Sequence, residues 1–281
     1  MSAIRLRILS DLHFAEPASR ITTLMMLAPL LDTPERLIFN GDSFDTRFLK
    51  TDPISAAGHA VFSAFTAPLR PRLTLITGNH DPDVSPHHHL ELAQGRVLIT
   101  HGDVLFPEVA PWGWEAPHVL EARRHRLATI DPTLHDTLET ELEVCKYTSL
   151  ATSHLAPASL HQPPSFGLRI VHLLGRIRRA DQILRAWMRS SQLADQLATR
   201  FRPQAQVVIF GHTHFPGVWQ HGNRTIINTG AFTPPLGSRL VDFHDDCIRT
   251  RTIERQGGEF RPGKVIHELP WEHGCALHTC E

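Results

Sequence analysis

"RLIFNGDSFD", residues 36–45, is a short apolar run that ends in a glycine and two carboxylates. Residues 36–40 read as a buried strand, because they are β-prone and end at once in turn chemistry. Gly41, Asp42 and Asp45 follow directly. Open α/β sheets build their sites beyond the carboxyl ends of strands. The fold therefore turns on whether the rest of the chain repeats this pattern.

It repeats four more times. Residues 4–10 (IRLRILS) lead into Asp11 and His13 of "SDLH". Residues 72–77 (RLTLIT) lead into Gly78, Asn79, His80 and Asp81 of "GNHD". The run VLIT, opened by Gly95, leads into His101, Gly102 and Asp103 of "HGD", and residues 205–210 (AQVVIF) lead into Gly211, His212, Thr213 and His214 of "GHTH". The pairs Asp11/His13 and His212/His214 are spaced i,i+2, so both members of a pair can face one side of an extended segment. Glycines beside them allow tight turns and close backbone approach.

Helical periodicity predicts helices over 19–31, with Ser19 as N-cap and Pro29 ending or bending it, and over 54–69. The resulting β-α-β-α-β-β order predicts an α/β fold with parallel strands. Beyond residue 210, a hairpin turned at His221-Gly222-Asn223 and strands near 239–244, 247–255 and 264–268 read as antiparallel. Residues 107–203 interrupt the strands with a helical, proline-punctuated block in which Gly167 and Gly175 are candidate breaks. The chain thus divides into a core of residues 1–106 and 204–270, an inserted helical cap of 107–203, and a tail of 271–281.

Bulk composition narrows the function classes. The 281 residues are 41% apolar and 20% charged with a net charge near −1, so no global field argues for nucleic acid. Cys145, Cys247, Cys275 and Cys280 form no CxxC pair, and no charged-then-apolar leader opens the chain, which predicts a cytoplasmic protein. No run approaches the roughly 18–20 apolar residues of a spanning helix. Histidine is abundant, with 20 residues, and it is the commonest metal ligand.

Any one of the short motifs occurs by chance, and alone its residues would read as turn-formers at strand ends. All five in this order, each after a predicted strand, resemble the calcineurin-like metallophosphoesterase superfamily over residues 4–101 and 205–230. The resemblance implies a four-layer αββα sandwich with a helical insertion and a two-metal site. Asp11, His13 and His214 would hold one divalent ion, Asn79, His101 and His212 the other, and Asp42 would bridge them. The mixed imidazole, carboxylate and amide donors suit manganese, iron, zinc or cobalt; manganese is the expected ion. A metal-bridging hydroxide would attack phosphorus in a phosphodiester or pyrophosphate. By the same resemblance His80 is catalytic rather than a ligand, protonating the leaving group or stabilising the transition state, with Asp45 hydrogen-bonded to it. Asp81 and Asp103 read as supporting or turn-stabilising residues. Asn228 and Gly230 of "NTGAF" resemble a turn of the family core and are assigned no chemistry. The alternatives are a phosphomonoesterase or protein phosphatase, and a metal-holding scaffold without catalysis.

Three features remain. His87, His88 and His89 read as a solvated loop or helix start after Pro86, since adjacent residues share no face. The tail "HGCALHTCE" matches no standard zinc-finger spacing. Between Arg169 and Arg202 eight arginines stand against Asp181 and Asp195, interleaved with large apolar residues. That block reads as an ordinary amphipathic helix, an arginine-lined lid over an anionic substrate, or an interfacial helix giving peripheral contact with anionic lipid. Its placement is similar to that in the UDP-2,3-diacylglucosamine hydrolase-like branch, which implies a lipid-linked substrate beside a small phosphate-containing one. That branch commonly carries arginine where this chain has His80.

Overall fold

The structure is a computed structural model and describes residues 3–47, 49, 53–155 and 166–271. The side chains of 166–177 and the cysteine- and histidine-bearing tail from 272 onward lie outside the described residues.

The strands are β1 (Leu6–Leu9), β2 (Arg36–Asn40), β3 (Leu73–Ile76), β4 (His89–Leu92), β5 (Val97–Thr100), β6 (Val207–Phe210), β7 (Gly217–His221), β8 (Arg224–Asn228), β9 (Arg239–Phe243), β10 (Cys247–Gln256) and β11 (Glu259–Pro270). The helices are α1 (Ala28–Leu31), α2 (Pro53–Thr66), α3 (Ala116–Leu127), α4 (Leu138–Thr152) and α5 (Phe166–Phe201). Six strands form one sheet in the order β11-β10-β9-β1-β2-β3, and five form a second in the order β4-β5-β6-β8-β7. The strands that precede the motifs are parallel within each sheet: β1 with β2, β2 with β3, and β5 with β6.

Period-2 alternation builds the layers. Ile8 and Ile38 of the first sheet meet Val97, Ile99, Val207 and Ile209 of the second in one buried cluster between the sheets. The alternate residues Leu9, Leu37 and Phe39 face outward onto Leu27, Leu30, Leu31 and Phe62 of the α1–α2 side. On the far side, Leu98, Val208 and Phe210 pack on Leu138 and Leu142 of α4 and on Ala186, Ala194 and Ala198 of α5. The result is the expected four-layer αββα sandwich, and part of the helical block 107–203 is the outer layer of its second sheet. Arg7 crosses this apolar interior with no exposure, held by Asp242 at 2.6 and 2.9 Å and by the Leu30 carbonyl at 2.7 Å.

Local departures from the expected elements have physical causes. The helix expected over 19–31 is only a 3₁₀ turn at Leu24–Leu27 followed by α1, because Pro29 sits in the first turn of α1 and starts it rather than ends it. Ser19 caps no helix; its hydroxyl donates to the Leu12 carbonyl and accepts from Ile21 N–H. His89 begins β4, an edge strand antiparallel to β5, so the triple histidine ends in a strand rather than a loop or helix start. His88 hydrogen-bonds the Thr77 hydroxyl, and His89 lies 3.4 Å from Glu91. The second half is only partly antiparallel, since β8 runs parallel to β6. Helix α5 passes through Gly175 unbroken.

Candidate metal centre

The loops leaving β1, β2, β3, β5 and β6 bring their polar side chains to one place between the two sheet ends. His214 Nε2 lies 3.0 Å from His13 Nε2 and 3.3 Å from Asp11 Oδ1. Asp42 Oδ2 lies 3.3 Å from His101 Nε2 and 3.8 Å from His13 Nε2, so it faces both histidine groups. Three sets of side chains among the described residues could each hold an ion, with donor atoms inside 4.8 Å of one another in each set: Asp11, His13 and His214; Asp42, His101 and His212; and His13, Glu16 and His80, which shares His13 with the first. Asn79, also expected here, is buried beside them in the same cavity.

Backbone strain marks the same residues. Nine non-glycine residues among those described have positive φ, and five are Asp11, His13, Asp42, His212 and His214. A left-handed conformation costs roughly 1–2 kcal/mol per residue with a Cβ, and such strain persists where a site demands it. Close approach makes glycine necessary at Gly78 and Gly211: a Cβ there would run into the Asp42 carboxylate and the Asp11 carboxylate, respectively.

Hydrogen bonds aim the donor atoms. A carbonyl only accepts, so His101 Nδ1 donates to the Asn40 carbonyl (3.1 Å) and His212 Nε2 to the Val109 carbonyl (2.8 Å). This aims His101 Nε2 and His212 Nδ1 at the centre. Val109 itself has φ +63°, and Trp112 packs on the His212 ring at 5.4 Å, so the helical block supports a candidate ligand. His13 Nδ1 donates to Glu16 (2.7 Å), which turns its Nε2 toward His214. Asp42 Oδ1 accepts the His80 N–H at 2.9 Å, and Asp11 accepts the His212 N–H at 3.0 Å. Asp81 accepts the N–H groups of Gly78, Asp42 and Ser43 at 2.8–2.9 Å, which ties the two loops together. Asn228 braces the GHTH loop, donating to the Gly211 carbonyl and Thr213 hydroxyl and accepting from Gly230 N–H. Trp187 of α5 donates to the Thr213 carbonyl at 2.7 Å and stacks on Phe215.

The electrostatics suit cations. Burial pushes the Asp42 carboxyl up, but the His101 and His80 charges outweigh it and hold it well below the usual carboxylate range. Burial and the His101 charge push His212 down to about 3, so it stands as a neutral imidazole able to ligate. Burial together with the Asp42 charge pushes Asp81 up to about 7, against its N–H donors. Asn79 Oδ1 is buried with no hydrogen-bond partner, and His101 Nε2 is buried facing only the Asp42 carboxylate at 3.3 Å. Buried polar atoms are normally satisfied, and a metal ion would satisfy both, so the residues present fit a divalent centre.

His80 stands beside this group, its Nε2 4.0 Å from Asp42 Oδ2 and its Nδ1 3.1 Å from Asp45 Oδ2. Two neighbours had no signal in the motif reading. Glu16 lies 3.2 Å from His80 Nδ1 while accepting from His13, and Arg47 reaches His80 Nδ1 at 2.7 Å while chelating Asp45 at 2.6 and 3.0 Å. Burial lowers the His80 ring, but Asp42, Glu16 and Asp45 together raise it to about 10, with Arg47 opposing them. Asp103 turns inward to its own loop, accepting from Val104 N–H, and touches no candidate donor set.

Residues 4–216 match the family model described as calcineurin-like phosphoesterase. No curated protein matches the chain. Among solved structures, a conserved protein of Streptococcus pneumoniae described as a predicted phosphoesterase is 15% identical, with 96% of this chain and 99% of that one covered and a TM-score of 0.43. The phosphoesterase YfcE of E. coli is 14% identical, covering 94% and 97% with a TM-score of 0.41. Vacuolar protein sorting 29 of Cryptosporidium parvum is 11% identical, covering 95% and 100% with a TM-score of 0.44.

Proposed function

The chain belongs to the calcineurin-like phosphoesterase family, and from that premise we propose that it is an enzyme hydrolysing a phosphodiester or pyrophosphate bond with two divalent metal ions. Asp11, His13 and His214 hold one ion, Asn79, His101 and His212 the other, and Asp42 serves both. Manganese fits the donor mixture, with iron, zinc or cobalt as alternatives. When bound, the ions supply a water-derived nucleophile at neutral pH and offset charge on the phosphoryl oxygens. The observation that carries this reading is Asn79 Oδ1, buried with no hydrogen-bond partner beside the clustered Asp42, His101 and His212.

The chain's own residues complete the chemistry. His80, whose ring the surrounding carboxylates raise above its ordinary pKa in the metal-free chain, opens onto the cavity and gives its proton to the leaving oxygen. Asp45 and Glu16 hold its Nδ1 side, so its Nε2 side turns to the centre. Glu16 also fixes the tautomer of His13, and Asp81 sets the approach of the Asp42 loop to the GNHD loop. A scaffold without catalysis would have no use for the intact His80, Asp45 and Glu16 arrangement.

No helix among the described residues is long and apolar enough to cross a membrane. Leu184 and Met188 stand exposed on one face of α5 beside Arg185 and Arg189, which supports peripheral contact of a cytoplasmic protein with anionic lipid. The direct test is turnover of bis(p-nitrophenyl) phosphate with added Mn(II), abolished in Asp42→Ala. No turnover of monoesters, diesters or anhydrides by protein that holds its metals would sink the proposal.

A further inference from the structure

The metal-side cavity, about 350 Å³, runs into a second and larger cleft of about 830 Å³. Asn79, His80, Ala110, Trp112 and Arg179 line both, so the two are continuous past the candidate acid. A phosphate group alone needs a small part of this space, and the combined volume is that of a site for a drug-sized ligand.

Three kinds of side chain line the larger cleft. Arg178 and Arg179 of α5 are exposed, and among the described residues neither has an ion-pair partner, whereas Arg185 on the same helix is paired with Asp181. Unpaired guanidinium groups beside a cavity favour a phosphate, which they can grip bidentately. Trp114 lines the cleft, is half exposed and has an edge contact with His118, which makes it an aromatic surface available to a flat ring. Glu108 and Glu115 line the same cleft. They would repel a ligand that is anionic throughout, yet carboxylates only accept hydrogen bonds and so suit hydroxyl groups.

We infer that the cleft is a leaving-group subsite for a nucleoside attached through a second phosphate, which makes the substrate a nucleoside diphosphate ester. The inference rests on the phosphohydrolase reading of the metal centre. The scissile phosphate lies at the metal donors, the second phosphate against Arg179 and Arg178, the ribose hydroxyls toward Glu108 and Glu115, and the base on Trp114. Water oxygen bonds to the scissile phosphorus and gives up a proton to solvent, the bridging P–O bond breaks, and its electron pair leaves on the nucleoside monophosphate, whose oxygen takes up the proton held by His80, which solvent then replaces. The products are two phosphate monoesters.

The test compares two probes on the metal-loaded full chain: ADP-ribose, which has a second phosphate and a base, and bis(p-nitrophenyl) phosphate, which has neither. Kcat/KM for ADP-ribose should exceed that for the diester. In the double variant Arg178→Glu/Arg179→Glu, the loss on ADP-ribose should exceed the loss on the diester by tenfold or more and fall mainly on KM. Trp114→Ala should raise KM for ADP-ribose severalfold. Diester cleavage without ADP-ribose cleavage, equal losses on both probes, or a preference for a micellar diacyl pyrophosphate would each overturn the subsite while leaving the hydrolase intact. Failure to cleave either probe with metal bound would overturn the hydrolase reading and this inference with it.

Discussion

Replacing His80 by alanine separates acid catalysis from metal binding in one variant. The ring borders the centre, with Nε2 4.0 Å from Asp42 Oδ2 and its centroid 4.9 Å from that of His13, and it is a quarter exposed to the cavity. The two sets assigned to the ions, Asp11, His13 and His214 and Asp42, His101 and His212, do not include it; a third possible set, His13, Glu16 and His80, does, and the proposal makes His80 an acid and not a ligand. Its removal should therefore leave metal content unchanged. A positioned general acid contributes a factor of roughly 10²–10⁴, which is about 2.7–5.4 kcal/mol at about 1.36 kcal/mol per factor of ten. The size of the loss should follow the leaving group. An acidic nitrophenol departs with little help, so His80→Ala should sit near the lower bound on bis(p-nitrophenyl) phosphate and near the upper bound on a diester with an alkyl leaving group. Steady-state kinetics on both substrates, with metal counted by inductively coupled plasma mass spectrometry, reads all three quantities. Loss of metal would mean that His80 is a ligand. Equal losses on the two leaving groups would mean that it carries no proton to them.

Three further outcomes follow from the geometry. The His80 pKa near 10 lies above the ordinary 6.5, so the stability it adds to the metal-free protein is present below about pH 6.5 and lost as pH rises through about 10; an NMR titration of metal-free protein that found His80 neutral at pH 8 would contradict this. Asp81→Ala strips three N–H groups of their acceptor at the junction of the Asp42 and GNHD loops, and should cost about 3 kcal/mol or more in a urea melt and weaken metal binding; a change under about 1 kcal/mol would refute the structural role. Arg7→Ala leaves Asp242 as a buried charge without its partner and should destabilise by about 3–5 kcal/mol, with Arg7→Met/Asp242→Leu less damaging than either single change.

The strands and the gathering of the candidate ligands were legible because both follow from strong local rules. Alternation along the predicted strand 36–40 puts Leu37 and Phe39 on one face and Ile38 on the other, and polar residues placed directly after strands pointed to the same sheet edge. Glu16 and Arg47 were not legible. Each reaches His80 across a loop with no periodicity, so only the fold brings them together. The short helix at 24–31 was misjudged at Pro29, whose meaning depends on whether it falls in the first turn or a later one. The role of 107–203 was also hidden, since amphipathic spacing shows that α5 buries one face without showing that Trp187 will bond the GHTH loop or that Val109 will orient His212.

The central claim is a two-ion centre with Asp42 shared between the ions. The most direct measurement is isothermal titration of metal-stripped protein with Mn(II), in the wild type and in Asp42→Ala. The account predicts two ions per chain in the wild type and loss of high-affinity binding at both positions in the variant. A single ion in the wild type, or an Asp42→Ala protein that still binds two with unchanged affinity, would contradict it.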